Sequence, residues 1–218
     1  MTWRAGAAVI AVLAAPVAQA GAIHSDVPSA PDTKARWVIY LHGRIVEMQG
    51  RKAVHPEFGA FAFDAIVQVF ADRGFEVIAE LRPETTSFEY SSRVVRQVRQ
   101  LEQAGVPSSS ITVVGFSKGG SLARRAAAEL ADPEVAFAIL AGCPRKTENF
   151  EPWVAKMAGR MLSLYDQSDE MVGSCKPGFE KAPAVKGSET VLSVGKRHGT
   201  FFEPRREWLD PVVAFATR

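Results

Sequence analysis

Apolar residues in this chain fall into two patterns. Short, largely β-branched runs alternate with longer stretches in which apolar positions return every three or four residues. The runs predict six strands, at 37–41, 76–81, 111–114, 135–140, 161–165 and 190–194. The helical spacing predicts helices at 64–72, 94–101, 122–130 and 153–157. Strand and helix alternating in this way imply an α/β fold, with a mainly parallel six-stranded sheet and helices on both faces.

The junction between the third strand and the helix after it carries the first candidate chemistry. Gly115-Phe116-Ser117-Lys118-Gly119 follows Ile111-Thr112-Val113-Val114 directly and leads into Ser121-Leu122-Ala123-Arg124. A chance G-x-S-x-G is expected in roughly one chain of this length in ten, so the pattern is informative only through its context. A sharp strand-to-helix turn thrusts a serine hydroxyl out of the sheet, and small residues two before and two after let the backbone fold that tightly.

A serine hydroxyl is a poor nucleophile without a base in hydrogen-bond reach, itself held by an acid. Of the four histidines, His24, His42, His55 and His198, only His198 follows the serine. It lies in Gly195-Lys196-Arg197-His198-Gly199, past the last strand, where open α/β sheets carry reactive groups. The acid is expected between them, in Asp166-Gln167-Ser168-Asp169-Glu170-Met171-Val172, with Asp166 and Asp169 competing for the role.

From about residue 36 onward the sequence resembles the α/β-hydrolase family. The elbow at 115–119, the acid loop at 166–172, the histidine loop at 195–201 and Trp37-Val38-Ile39-Tyr40-Leu41-His42-Gly43-Arg44 carry the resemblance. It implies a serine hydrolase, carboxylesterase-like, in which Ser117 attacks an acyl carbonyl and His198 is the base. Asp169 is favoured as the acid, because the family places it a few residues past the strand with a small apolar residue shortly after. The backbone N–H groups of Arg44 and Lys118 are the implied oxyanion donors. The first two strands usual in the family are expected to be missing, and no insertion long enough for a substantial lid is present. The implied substrate is a small-molecule carboxylic ester, with thioester, amide and lipid ester as alternatives and a non-catalytic binding protein of the same fold as a different class. No cofactor and no metal are implied.

The N-terminus adds a destination. A positive charge at Arg4, an apolar stretch at 5–15 and the small-x-small ending Ala18-Gln19-Ala20 predict a signal peptide over 1–20. Export to a periplasmic or secreted location follows, with a flexible arm at 21–35 and one hydrolase domain at 36–218. The apolar stretch is shorter than the roughly 20 residues that cross a bilayer, so no stable membrane anchor is expected after cleavage. A formal charge of +2, with both signs interspersed, gives no reason to expect a nucleic-acid partner. Arg93, Arg96 and Arg99 are read as a solvated helix face.

Several neighbouring residues carry blander expectations. His42 is expected to orient the oxyanion loop, and His55 to be a loop residue. The Lys118 side chain is expected to point to solvent. Phe116, Phe201, Phe202 and Trp208 are assigned to the core or the border of an acyl pocket, while Arg44 and Glu47 either meet substrate or pair with each other. Cys143 and Cys175 follow neighbouring strands, so in a parallel sheet both emerge at the same edge. An even cysteine count in an exported chain favours a disulfide between them.

Overall fold

A computed structural model describes residues 20–218, apart from the side chains of Ser87 and Phe88. The predicted leader, all but Ala20, lies outside the described residues. The strands are β1 (Ile23–His24), β2 (Arg36–Leu41), β3 (Val54–His55), β4 (Gly59–Ala60), β5 (Phe75–Ile78), β6 (Ile111–Phe116), β7 (Ala136–Leu140), β8 (Ala158–Asp166) and β9 (Ala184–Leu192). The helices are α1 (Arg44–Gln49), α2 (Phe63–Asp72), α3 (Ser87–Gln103), α4 (Lys118–Leu130), α5 (Lys176–Glu180) and α6 (Arg206–Ala216).

Seven strands form one parallel sheet in the order β1-β5-β2-β6-β7-β8-β9, and β3 and β4 make a small antiparallel pair apart from it. The sheet therefore has one strand more than the six expected. The addition is β1, two residues of the N-terminal arm that pair with β5 at the sheet edge. Glu76 fastens this arm, accepting from Ala22 N at 3.1 Å and lying 2.6 Å from His24 Nε2.

Strand alternation explains the two faces. Val38 and Tyr40 of β2 point to a core layer shared with Ile66 and Phe70 of α2 and Trp208 and Val212 of α6. Trp37, Ile39 and Leu41 point the other way, to Val94, Val98 and Leu101 of α3 and Leu122 and Ala126 of α4. Both layers are buried, which is why the inner strands are apolar almost throughout. The arginine row of α3 is not simply solvated. Arg93 is half-buried and binds Glu80 at 2.7 Å and Asp26 of the arm at 3.1 Å, while Arg99 pairs with Glu102 at 2.9 Å.

Because every strand of the sheet runs the same way, all β-to-helix turns emerge at one rim. The ends of β2, β6 and β8 and the loop after β9 meet there.

Candidate active site

Ser117 stands between β6 and α4 with φ 54° and ψ −116°, a backbone shape that side chains other than glycine seldom adopt. The turn closes so tightly that a Cβ on Gly115 would sit 2.2 Å from Gly119 O, and one on Gly119 would sit 2.0 Å from Leu41 O. Glycine at both positions is what permits the strain at Ser117.

Its hydroxyl oxygen lies 2.8 Å from His198 Nε2, and His198 Nδ1 lies 2.6 Å from Asp169 Oδ2. His198 sits in a short 3-10 turn, Arg197–Phe201, and is almost fully buried, as is the Asp169 carboxylate. An ionised carboxylate can only accept, so Nδ1 keeps its proton and donates it in a hydrogen bond to Asp169, which leaves Nε2 as acceptor for the hydroxyl. Phe116 packs 5.0 Å from the imidazole, centroid to centroid, and Phe58 6.4 Å. Asp169 Oδ1 accepts from Met171 N at 2.9 Å, which fixes the carboxylate from its other side.

Asp166, the rival acid, meets neither Ser117 nor His198. It is fully buried and accepts from Ser168 N and Oγ, Val194 N, Gly195 N and Thr200 Oγ1, all at 2.6–3.1 Å. It thus ties the acid loop to the histidine loop. Burial raises its pKa, but the hydrogen bonds led by those from Ser168 outweigh this and hold it below the ordinary value. Asp166→Asn places an NH₂ where backbone N–H groups already point, and it is expected to destabilise the fold by about 2–4 kcal/mol at neutral pH. A group with a depressed folded pKa stabilises above its unfolded value and loses that contribution as pH falls through the folded one. The difference in chemical-denaturation midpoint between wild type and Asp166→Asn should therefore be full at pH 6 and shrink below about pH 4.

Arg44 and Lys118 are the first residues of α1 and α4, so the N–H of each has no partner within its own helix. A buried network binds the two helix starts together. Glu47 of α1, its side chain wholly buried, receives Arg82 Nε and, at 2.5 Å, Lys118 Nζ. Lys118 Nζ also donates to Thr85 O at 2.7 Å. The Lys118 side chain is therefore engaged inward rather than pointing to solvent, and Glu47 pairs with Arg82 and Lys118, not with Arg44. His42 Nε2 accepts from Arg82 N at 3.0 Å, so its Nδ1 carries the proton and donates to Gly43 O at 2.9 Å. Burial, followed by the charge of Arg82, lowers its pKa to about 3, and His42 stays neutral as a brace of the loop. Arg82 gives no sign of itself in the sequence, and no local pattern would have found it.

Two hollows flank Ser117. One, of about 150 Å³, is apolar and lined by Ile45, Phe58, Phe116, Met171 and Phe202, with His55 at its side. Of the four aromatic residues assigned to the core or to the border of an acyl pocket, Phe116 and Phe202 line this hollow. Phe201 and Trp208 pack into the core, their rings 6.0 Å apart. The other hollow, about 330 Å³, is more polar and runs along α4 past Ser121 and Arg124, bordered by Gly142, Pro144, Asn149 and Glu151.

Cys143 and Cys175 are joined by a disulfide, with Cα atoms 5.3 Å apart. Cys143 lies in the loop after β7 and Cys175 beyond the acid loop, and Pro144 pairs with Val172 alongside. In the chain-entropy model a closure of 32 residues contributes about 3–4 kcal/mol.

No protein-family model and no curated protein sequence matches this chain. Solved structures do. One of the metagenome-derived lipolytic enzymes LipS and LipT superposes with a TM-score of 0.60 at 14% identity, over 88% of this chain and 99% of its own. A lipase-esterase related protein from Clostridium acetobutylicum gives 0.57 at 10% identity, over 84% and 96%. Est1E from Butyrivibrio proteoclasticus, solved with ferulic acid bound, gives 0.53 at 15%, over 88% and 90%. At these identities the likeness is one of fold, and the chain has the α/β-hydrolase fold.

Proposed function

We propose that this protein is a serine hydrolase that cleaves a carboxylic ester through an acyl-enzyme. The observation that carries this reading is the unbroken hydrogen-bonded line Ser117–His198–Asp169, with the serine held on a strained turn. Ser117 Oγ attacks the acyl carbonyl while His198 Nε2 takes its proton, and Asp169 stabilises the imidazolium without being protonated itself. The amides of Arg44 and Lys118 receive the oxyanion, and the Glu47 network keeps the two amides in register. His198 then protonates the leaving alcohol. Water, deprotonated by the same imidazole, releases the acid.

An ester is favoured over an amide because its leaving group departs more readily, and the lipolytic and lipase-esterase related proteins among the structural neighbours support the same substrate class. The small apolar hollow supports a short or compact acyl group. For the whole chain we infer a leader cleaved after Ala20, an arm at 21–35 and one hydrolase domain at 36–218, exported to the periplasm or beyond. The disulfide supports an oxidising compartment.

A fluorophosphonate probe tests the reading directly. Stoichiometric labelling, mapped to Ser117 by peptide mass and lost in Ser117→Ala, is expected. Folded protein that stays unlabelled while p-nitrophenyl esters of graded chain length go uncleaved would leave a binding protein of this fold.

A further inference from the structure

Arg124 lines the polar hollow, and no part of the proposed reaction uses it. It is 3% exposed, yet among the described residues it forms no ion pair, and its guanidinium makes one hydrogen bond, from Nε to Gly142 O at 3.0 Å. Nη1 is buried with no hydrogen-bond partner among the described residues. A desolvated guanidinium with spare donors is costly, because it has given up water without gaining an acceptor. The rings of Phe150 and Trp153, each 5.5 Å from its carbon, hold it in one orientation. Burial lowers its pKa to about 10, with Glu151 opposing, so it is still charged at neutral pH.

Its place on α4 gives this donor an address. Ser117, Ser121 and Arg124 follow one another at helical spacing along the wall of the hollow. Seven residues at 1.5 Å each put Arg124 about 10 Å along the helix from the serine. Of the other charged groups there, Lys118 is committed to Glu47 and Thr85, and Glu151 is an exposed carboxylate at the rim. We propose that the polar hollow is a substrate subsite in which Arg124 binds an anionic oxygen group, a carboxylate carried several bonds away from the ester that Ser117 attacks. The preferred substrates are then half-esters and other carboxylate-bearing esters rather than neutral ones. This rests on the hydrolase reading of Ser117.

The test compares matched substrates. One pair carries the carboxylate on the acyl side, p-nitrophenyl hydrogen adipate against its methyl-capped diester. The other carries it on the alcohol side, 4-carboxyphenyl acetate against its methyl ester. In at least one pair wild type is expected to favour the carboxylate by about 10- to 100-fold in kcat/KM, the range of one charge-assisted hydrogen bond. Arg124→Met should bring that ratio close to one and Arg124→Lys should keep part of it. A ratio taken within each variant does not depend on any general loss of activity. If neither variant folds, wild type still decides: free adipate should inhibit neutral-ester hydrolysis competitively and adipamide should not. No preference in either pair, or a preference that survives Arg124→Met, overturns the subsite. Should Ser117 fail to label with fluorophosphonate, the hydrolase reading falls by itself. Calorimetric titration of adipate into wild type and Arg124→Met then reads the subsite alone, with equal or absent binding as the overturning result.

Discussion

Alanine in place of Ser117 or of His198 is expected to lower ester hydrolysis by on the order of 10⁶-fold, and the double variant to be hardly slower than either. The reason is geometric. A hydroxyl 2.8 Å from an imidazole nitrogen is activated only by that nitrogen, and the imidazole has no other task once the hydroxyl is gone. Residual hydrolysis over water should persist, since the amides of Arg44 and Lys118 and the two hollows remain. Steady-state kinetics on a p-nitrophenyl ester measures this, with thermal melting to check that each variant is folded. Losses that multiply in the double variant would mean that the two residues act independently, and the proposed mechanism would be abandoned.

Asp169→Asn is expected to lower kcat by a factor of order 10⁴ with little change in folding. The amide presents an NH₂ or an oxygen to Nδ1. The NH₂ turns the imidazole into the tautomer that can no longer accept from Ser117. Asp166→Asn should behave in the opposite sense, losing stability while the folded fraction keeps most of its kcat, because its five hydrogen bonds hold loops rather than the imidazole. A larger kcat loss at Asp166 than at Asp169 would reverse the assignment.

The inner strands were legible because both their faces are buried, so β2, β6 and β7 are almost wholly apolar. Elements at the sheet edges were not. β1 is two residues in a polar arm, and β9 was expected at 190–194 but spans Ala184–Leu192. Its first half, with Lys186, Gly187, Ser188 and Glu189, reads as loop, since an edge strand needs no second apolar face. α6 carries Trp208, Leu209, Val212 and Phe215 at helical spacing, but Pro211 within it reads as a break. At the site, Ser117, His198 and the acid loop announce themselves through local pattern. The Glu47–Arg82–Lys118 network does not, because its partners are 35 and 71 residues apart and only the folded sheet rim brings them together. Arg124 was visible only as one more arginine on a helix, and what sets it apart is a buried Nη1 with no hydrogen-bond partner among the described residues.

The bond between Cys143 and Cys175 has a consequence for damage to the chain. It encloses β8 and the whole loop bearing Asp169 in one covalent ring, with Ser117 on the chain before the ring and His198 on the chain after it. A protease that cuts any single peptide bond inside the ring produces two fragments that remain one molecule. The β8 ladder to β7 and β9 then still seats the cut segment. Backbone continuity is thus duplicated over the stretch that carries Asp169, and over that stretch a nick is not a separation.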